Sequence, residues 1–289
     1  MGLFRVVRLP ILLGGVLGCG LGALLGLLAG GVFNPILFIV SYAVVALGDL
    51  STHFSNDYFD VELDRSAPKK TFGGSNLLVD RADLLAPALG VAKILSLASV
   101  LVAGFAAVLG VSPLIIPLAI GANILGWFYS LPPFRLAYRG LGEVAIAVGT
   151  GFGVPAAGYL AVRGTLDPEF VPLSLALMMY GFVLALCLEL SDMEADRIGG
   201  KLNLVARFGW KACLRLALLL CLASTAIMGL FSIPALAVAS LLPFAAVLFG
   251  NILSTGDRAR LDAVATGCIL SLFAFLVTSV ASLAVLIRF

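Results

Sequence analysis

The sequence contains very little charge for its length. Only 12% of its 289 residues are Asp, Glu, Lys or Arg, and 61% are hydrophobic, whereas a soluble domain carries about 25% charged residues. This composition excludes an ordinary soluble domain and indicates a polytopic membrane protein. The net charge of +2 decides little by itself, and we expect no nucleic-acid partner.

The sequence also lacks closely spaced cysteines. None of the five cysteines belongs to a C-x-x-C spacing, so the chain indicates neither a disulfide framework nor a metal knuckle. All five lie within or at the ends of apolar runs, where we expect small, polarisable core side chains. They are Cys19, Cys187, Cys213, Cys221 and Cys268.

Long apolar runs make up most of the chain. A transmembrane helix needs about 20 mostly apolar residues, and the sequence offers nine such segments. The segments are rich in Gly and Ala, which favours close packing between helices in a membrane. The predicted spans are approximately 9–32, 35–55, 84–109, 112–131, 141–162, 170–190, 210–231, 234–254 and 263–287.

Positive charge is distributed unevenly among the links between these spans. Most of the 18 Lys and Arg residues lie in the N-terminal segment and in four long links. Cytoplasmic loops are enriched in Lys and Arg. We therefore expect a plasma-membrane protein whose N-terminus and long links are cytoplasmic and whose C-terminus lies outside. The long links are 56–83, 132–140, 192–209 and 255–262.

A group of acidic side chains follows the second predicted span, in the stretch NDYFDVELD. Asn56, Asp60 and Asp64 are spaced i, i+4 and i+8, so on a helix they share one face. Ionisable residues are costly near a membrane and usually mark a functional site. Mg²⁺ prefers such oxygen ligands together with water and phosphate oxygens. Asp57 and His53 are expected to support the ligands from a second layer.

The stretch LELSDMEADRIGGK repeats this arrangement after the sixth predicted span. Asp192 and Asp196 are four residues apart, and Glu189 precedes them by about one turn as a further supporting residue. Two facing carboxylate sets could hold two Mg²⁺ ions with a diphosphate between them. The matched placement suggests that a single domain, 1–289, contains a duplicated four-helix unit. The two copies would be roughly 9–131 and 141–254.

Basic side chains accompany both acidic clusters. Phosphate oxygens bind Arg as a bidentate fork and Lys as a point charge, so these residues are candidate diphosphate ligands. The alternative is the ordinary enrichment of Lys and Arg in cytoplasmic loops, and the sequence leaves both interpretations open. The candidates are Arg65, Lys69 and Lys70 after the first cluster and Arg197 and Lys201 after the second.

Together these motifs resemble those of a known family. NDYFDVELD, at 56–64, is similar to the N-D-x-x-D-x-x-x-D motif of the UbiA superfamily of intramembrane prenyltransferases. DMEADRIGGKLNLVARFG, at 192–209, is similar to the second motif of that family, D-x-x-x-D. YSLPPFRLAYRGLGE, at 129–143, resembles the loop between the fourth and fifth helices of these enzymes. Within the superfamily, the chain looks most like 1,4-dihydroxy-2-naphthoate prenyltransferases and their archaeal homologues.

The resemblance implies roles for individual residues. Tyr129 matches a tyrosine near the diphosphate or the allylic carbon. Many members have a lysine four residues later, where this chain has Pro133, so Arg135 or Arg139 would supply that charge to the diphosphate. The naphthoate enzymes commonly have an asparagine shortly before the second motif, where this chain has Glu189. The implied metal ligands are Asn56, Asp60, Asp64, Asp192 and Asp196, and the four aspartates together with Tyr129 are the implied catalytic residues.

The resemblance also implies a fold and a reaction. The fold would be all-α, with nine transmembrane helices around a central cavity and cytoplasmic loops as a cap. The enzyme would use Mg²⁺ to transfer a prenyl group from a polyprenyl diphosphate, such as geranylgeranyl diphosphate, to an aromatic acceptor within the membrane lipid. We rank a 1,4-dihydroxy-2-naphthoate ring first, as in menaquinone biosynthesis. The other candidate acceptors are 4-hydroxybenzoate, geranylgeranylglyceryl phosphate and a tetrapyrrole.

Two other classes of membrane protein compete with this interpretation. In an ion-coupled transporter, acids usually lie near the bilayer midplane on broken helices, whereas these acids cluster at one surface beside Lys and Arg. A CDP-alcohol phosphotransferase would begin its motif with D-G-x-x-A-R, which the chain does not contain. The first comparison favours an anionic, phosphorylated substrate, and the second argues against this class of phosphotransferase.

Overall fold

The computed structural model describes residues 6–66, 76–231 and 233–287. Within these ranges the chain is helical and contains no β-strand, which confirms the predicted all-α class. The helices are α1 (Leu9–Leu28), α2 (Pro35–Phe59), α3 (Val61–Ser66), α4 (Leu77–Asp80), α5 (Leu85–Leu109), α6 (Ile115–Ser130), α7 (Gly142–Val148), α8 (Val154–Arg163), α9 (Phe170–Glu189), α10 (Met193–Ile198), α11 (Leu204–Leu230), α12 (Pro234–Leu253) and α13 (Arg258–Ile287).

Eight helical segments in the described ranges are long and apolar enough to cross a membrane. A polytopic membrane protein is therefore confirmed, whereas the predicted count of nine spans is not. The difference lies at 112–131, where α6 has only 16 residues and is about 24 Å long. Leu131 turns to an extended conformation after α6, as expected for a residue that precedes Pro132. The predicted central cavity and capping loops stay predictions.

The described chain forms two compact units. Unit one contains α1 to α6 and α8, and unit two contains α7 and α9 to α13. The span that joins α7 to α8 passes through a π-helical turn at Gly149–Gly153, and the two units divide there. The internal duplication inferred from the sequence stays a prediction. Unit one comprises 6–65, 76–135 and 153–170, and unit two comprises 136–152, 171–231 and 233–287.

In unit one, α1 packs closely along α8. Gly22 faces the backbone of Pro155, and an added Cβ at Gly22 would collide with the Pro155 carbonyl group. Gly158 faces the Cys19 carbonyl group in the same way. Small residues allow membrane helices to approach this closely, because dispersion contacts replace the hydrophobic effect as the main force between them.

Polar side chains join α2 to α5 and α6 inside unit one. The Ser99 hydroxyl donates to the Val44 carbonyl at 2.9 Å, and the Asn123 amide donates to the Ser99 hydroxyl at 3.3 Å. Closer to the end of α2, the indole N–H of Trp127 donates to the Ser51 hydroxyl at 3.2 Å. These bonds hold α2, which carries the first acidic cluster, against its two neighbours.

In unit two, α11 packs against α12 and α12 packs against α13. Gly209 interrupts the first turns of α11, because its φ of +79° and ψ of 161° are not helical. A glycine is required there, since side chains with a Cβ rarely adopt this backbone conformation. The Ser224 hydroxyl then donates to the Ala176 carbonyl at 3.0 Å and joins α11 to α9.

Candidate active site

The first acidic cluster lies at the end of α2 and continues into α3. Asp60 interrupts the regular helix with a ψ of 4°, yet the helical hydrogen bonds continue through it. The Asp60 N–H donates to the Asn56 carbonyl at 2.9 Å, and the Asp64 N–H donates to the Asp60 carbonyl at 2.8 Å. The backbone therefore keeps Asn56, Asp60 and Asp64 about one turn apart.

Two oxygen atoms of this cluster have surroundings that suit a cation. The Asn56 Oδ1 atom is buried and has no hydrogen-bond partner, which is unusual for a polar atom removed from water. Asp60 is also buried, and its Oδ2 accepts a hydrogen bond from the Ser130 hydroxyl at 2.9 Å. Carboxylate and amide oxygens are the ligands that Mg²⁺ takes in proteins, so the donor set fits this ion.

The neighbouring ionisable residues point elsewhere. Asp57 is only 5% exposed, and its Oδ1 lies 2.5 Å from the Arg8 guanidinium, 49 residues away. His53 is buried, with its Nε2 at 3.4 Å from Asp49. The supporting role of Asp57 and His53 stays a prediction.

The second acidic cluster lies where α9 gives way to α10. A short 3₁₀ turn, Leu190–Asp192, follows α9, and α10 begins directly after it. Asp192, Asp196 and Glu189 are all buried. Glu189 lies beside Glu143, which is also buried. Because a buried charge is costly unless it is paired or coordinated, these acids are candidates for binding a cation.

The loop that follows the second cluster folds back onto it. The Lys201 N–H donates to the Asp196 carbonyl at 2.8 Å, and Gly200 permits this turn with a φ of +74°. The Arg197 guanidinium donates twice to the Ala206 carbonyl, at 2.9 and 3.2 Å. Arg197 therefore braces this loop through two of its nitrogens, in addition to its predicted role toward diphosphate.

The other predicted phosphate ligands differ in their surroundings. Arg65 is exposed and lies 3.0 Å from Glu62. Arg135 has a φ of +42° in the turn after α6, and Arg139 is exposed in the following loop. Lys69 and Lys70 lie outside the described residues. A diphosphate role for these side chains stays a prediction.

Tyr129 lies in the last turn of α6 and is half-buried. The next residue, Ser130, is completely buried and bonds directly to Asp60. Tyr129 is thus held one position from a residue that contacts the first acidic cluster. The predicted contact between Tyr129 and a prenyl diphosphate stays a prediction.

The sequence did not single out several residues that touch the acidic clusters or the segments beside them. Their signals were weak or ambiguous: a serine after a motif tyrosine, a glutamate that closes YRGLGE, an asparagine before an apolar run and an N-terminal arginine. Each acquires a partner only through long-range folding. These residues are Ser130, Glu143, Asn203 and Arg8.

No group of three or more His, Cys, Asp or Glu side chains is arranged as a metal site within 6–66, 76–231 and 233–287. Mg²⁺ commonly uses only one or two carboxylates and completes its shell with water and phosphate oxygens. The spacing of acids within each cluster fits such partial coordination. The meeting of the two clusters at one diphosphate stays a prediction.

The described chain is an all-helical polytopic membrane protein with an acidic cluster at the end of α2 and another at the end of α9. Residues 16–272 match the UbiA prenyltransferase family, and the chain belongs to that family. The recognition made from the sequence motifs is therefore confirmed.

Individual relatives are distant. The chain is 27% identical to the rice chlorophyll synthase of the chloroplast over 201 residues, which covers 65% of the chain and 51% of that protein. It is 28% identical to the chloroplast 2-carboxy-1,4-naphthoquinone phytyltransferase of Arabidopsis thaliana over 226 residues, 72% of the chain and 55% of that protein. The chain thus spans about half the length of the curated relatives it matches.

Solved structures share the fold over nearly the whole chain. A UbiA homologue from Archaeoglobus fulgidus, bound to DMAPP and Mg²⁺, superposes with a TM-score of 0.69 at 16% identity. The match covers 98% of this chain and 99% of that one. At this identity the likeness concerns the architecture of the helices.

Proposed function

We propose that the protein is a Mg²⁺-dependent prenyltransferase that moves a prenyl group from a polyprenyl diphosphate to an acceptor within the membrane. The observation that carries this proposal is the buried oxygen set at the end of α2. There the Asn56 amide oxygen has no hydrogen-bond donor, one turn before a buried aspartate. Membership of the family and the matched cluster at the end of α9 support it.

We assign the predicted site residues to two groups, one that binds metal and one that binds phosphate. Asn56, Asp60 and Asp64 would hold metal at the end of α2, and Asp192 and Asp196 would hold metal after α9. Mg²⁺ held by these residues would supply positive charge to neutralise the diphosphate and to stabilise it as a leaving group. Ser130 keeps the Asp60 carboxylate in place through its 2.9 Å hydrogen bond. The predicted phosphate ligands are Arg65, Lys69, Lys70, Arg135, Arg139, Arg197 and Lys201.

An aromatic ring of the 1,4-dihydroxy-2-naphthoate type is the acceptor we favour, with a role in menaquinone-type quinone biosynthesis. The A. thaliana naphthoquinone phytyltransferase, which matches 72% of the chain, supports this choice. A tetrapyrrole is the second candidate, because chlorophyll synthases from several plants also match. Geranylgeranyl diphosphate is the proposed donor.

The proposed orientation follows from charge. The N-terminus and the acidic helix ends would face the cytoplasm at the plasma membrane, and the C-terminus would lie outside. This side of the membrane is where a water-soluble diphosphate head and free Mg²⁺ are both accessible. Labelling of single cysteines introduced at the two chain ends, in intact cells, distinguishes this orientation from its inverse.

The reaction can be tested with purified protein. The mixture contains Mg²⁺, labelled geranylgeranyl diphosphate and either the naphthoate, 4-hydroxybenzoate, geranylgeranylglyceryl phosphate or a tetrapyrrole acid, and mass spectrometry identifies the product. We expect prenylated naphthoate, and we expect Asp60→Ala and Asp192→Ala to abolish diphosphate release. Asp83→Ala is the control, because Asp83 is exposed beside Arg81 and outside both clusters.

Two results would remove the proposal. Full diphosphate release by Asp60→Ala or Asp192→Ala would contradict the metal assignment. An ion flux in proteoliposomes that needs no prenyl substrate, together with no product from any acceptor, would favour the transporter instead.

A further inference from the structure

A hydrogen bond joins the first turn of α7 to the start of α11. Glu143 is completely buried, and its Oε1 accepts the backbone N–H of Leu204 at 2.6 Å. The two residues are 61 positions apart in the chain. The N-terminal N–H groups of a helix have no partner within the helix. Glu143 therefore satisfies one such group of α11 from a distant part of unit two.

Asn203, directly before α11, connects this helix start to the second acidic cluster. Its Oδ1 caps α11 by accepting the Ala206 N–H at 2.7 Å, and its Nδ2 donates to Asp196 Oδ2 at 2.6 Å. A side-chain amide accepts only through its oxygen and donates only through its nitrogen. Because the cap uses the oxygen, the NH₂ group is directed to Asp196.

The surrounding backbone leaves Asn203 little freedom. The side chain has no exposed surface, and the Lys201 N–H closes the intervening turn onto the Asp196 carbonyl. The Arg197 guanidinium ties α10 to the first turn of α11 through the Ala206 carbonyl. The orientation of the Asp196 carboxylate thus depends on how the start of α11 is held.

We propose that Asn203 and Glu143 are positioning residues that orient Asp196 for metal–diphosphate binding. The inference rests on the proposed function and assigns a role to two residues that belong to neither acidic motif. Asn203 acts directly on the carboxylate, and Glu143 acts through the N-terminus of α11. Partners of metal ligands commonly alter metal affinity by about 10- to 100-fold when they are replaced.

Conservative variants separate this role from plain stability. Asn203→Ser keeps a good helix cap, but its short side chain does not reach Asp196. Asn34→Ser is the matched control, because Asn34 caps α2 in the same manner and at the opposite end from the first acidic cluster. Glu143→Gln retains an oxygen that can accept the Leu204 N–H, whereas Glu143→Ala removes it.

The measurement is binding of Mn²⁺, followed by electron paramagnetic resonance, in the presence of a non-reactive prenyl thiolodiphosphate. We expect Asn203→Ser and Glu143→Ala to raise the apparent Kd for Mn²⁺ about tenfold or more. Asn34→Ser and Glu143→Gln should stay within about twofold of the original protein. Thermal midpoints measured without ligand show whether each variant is folded.

The Mn²⁺ binding experiment distinguishes failure of the positioning role from failure of the proposed function. If the original protein binds Mn²⁺ with the thiolodiphosphate and folded Asn203→Ser binds equally well, the positioning role is wrong. If the original protein does not bind the pair at all, the proposed function itself fails. A loss in Asn34→Ser equal to that in Asn203→Ser would show a general stability effect and would also overturn the inference.

Discussion

The ion pair between Arg8 and Asp57 allows us to predict how much stability the first acidic cluster loses when Arg8 is replaced. Arg8 immediately precedes α1, and Asp57 lies within the cluster, so the pair ties the start of the chain to the end of α2. Removal of Arg8 takes away a cation that contacts a carboxylate that is 5% exposed. We therefore expect Arg8→Ala to destabilise unit one and to weaken metal binding by the neighbouring Asn56 and Asp60.

The loss of stability in Arg8→Ala can be estimated from the burial of the ion pair. Breaking a buried ion pair by removing one partner costs about 3–5 kcal/mol. The Arg8 side chain is 21% exposed, so solvent screens part of the interaction and we expect about 2–3 kcal/mol. This cost includes the loss of an opposite charge beside the buried Asp57 carboxylate. The double variant Arg8→Ala/Asp57→Ala should consequently be more stable than the sum of the two single effects suggests.

A double-mutant cycle measures this coupling. The four proteins are unfolded in mixed micelles by increasing the fraction of sodium dodecyl sulfate, and the fluorescence of the two tryptophans follows the transition. We expect a coupling energy of about 1–2 kcal/mol between the two sites. A coupling below about 0.5 kcal/mol, the limit expected for independent sites, would refute the reasoning.

Two further predictions concern unit one. Ser130→Ala should weaken Mn²⁺ binding by roughly tenfold, because Asp60 would lose the 2.9 Å hydrogen bond from Ser130 and a hydrogen bond to a charged group contributes about 1.5–3 kcal/mol. Ser130→Thr keeps the hydroxyl group and is the control. Unchanged Mn²⁺ binding in the alanine variant would contradict the role of Ser130 in holding the Asp60 carboxylate. Gly22→Ala should lower the thermal midpoint of the protein in detergent by several degrees or prevent folding. The reason is that the new methyl group would collide with the Pro155 carbonyl, where the two helices need a small residue to pack closely. Gly20→Ala in the same helix is its control, since nothing lies within 4 Å of the added Cβ, and equal midpoints for the two variants would show that close contact between α1 and α8 is unimportant.

The helical membrane class and the family could be predicted from the sequence because both depend on local patterns. Apolar runs and the spacing of acids are visible without any tertiary contact, and they located both clusters at helix ends. The span count was less secure because α6 has apolar composition but only 16 residues. Composition does not show where Pro132 and the preceding turn stop a helix.

The partners of the acids could not be predicted in the same way. Ser130 contacts Asp60 across 70 residues, Arg8 contacts Asp57 across 49, and Glu143 contacts Leu204 across 61. Such contacts depend on which helices are neighbours and on how each is rotated about its axis. Neither property has a signature in a single sequence.

The sequence by itself determined that this chain enters a membrane and that acidic side chains recur at one-turn spacing after two of its helices. It could do so because hydrophobicity is a property of each segment and the helical period is set by the backbone. Only the tertiary structure decided the role of each polar group. It paired Asp57 with Arg8, left the Asn56 oxygen without a donor and directed the Asn203 amide to Asp196, because side-chain partners are chosen by packing between distant helices.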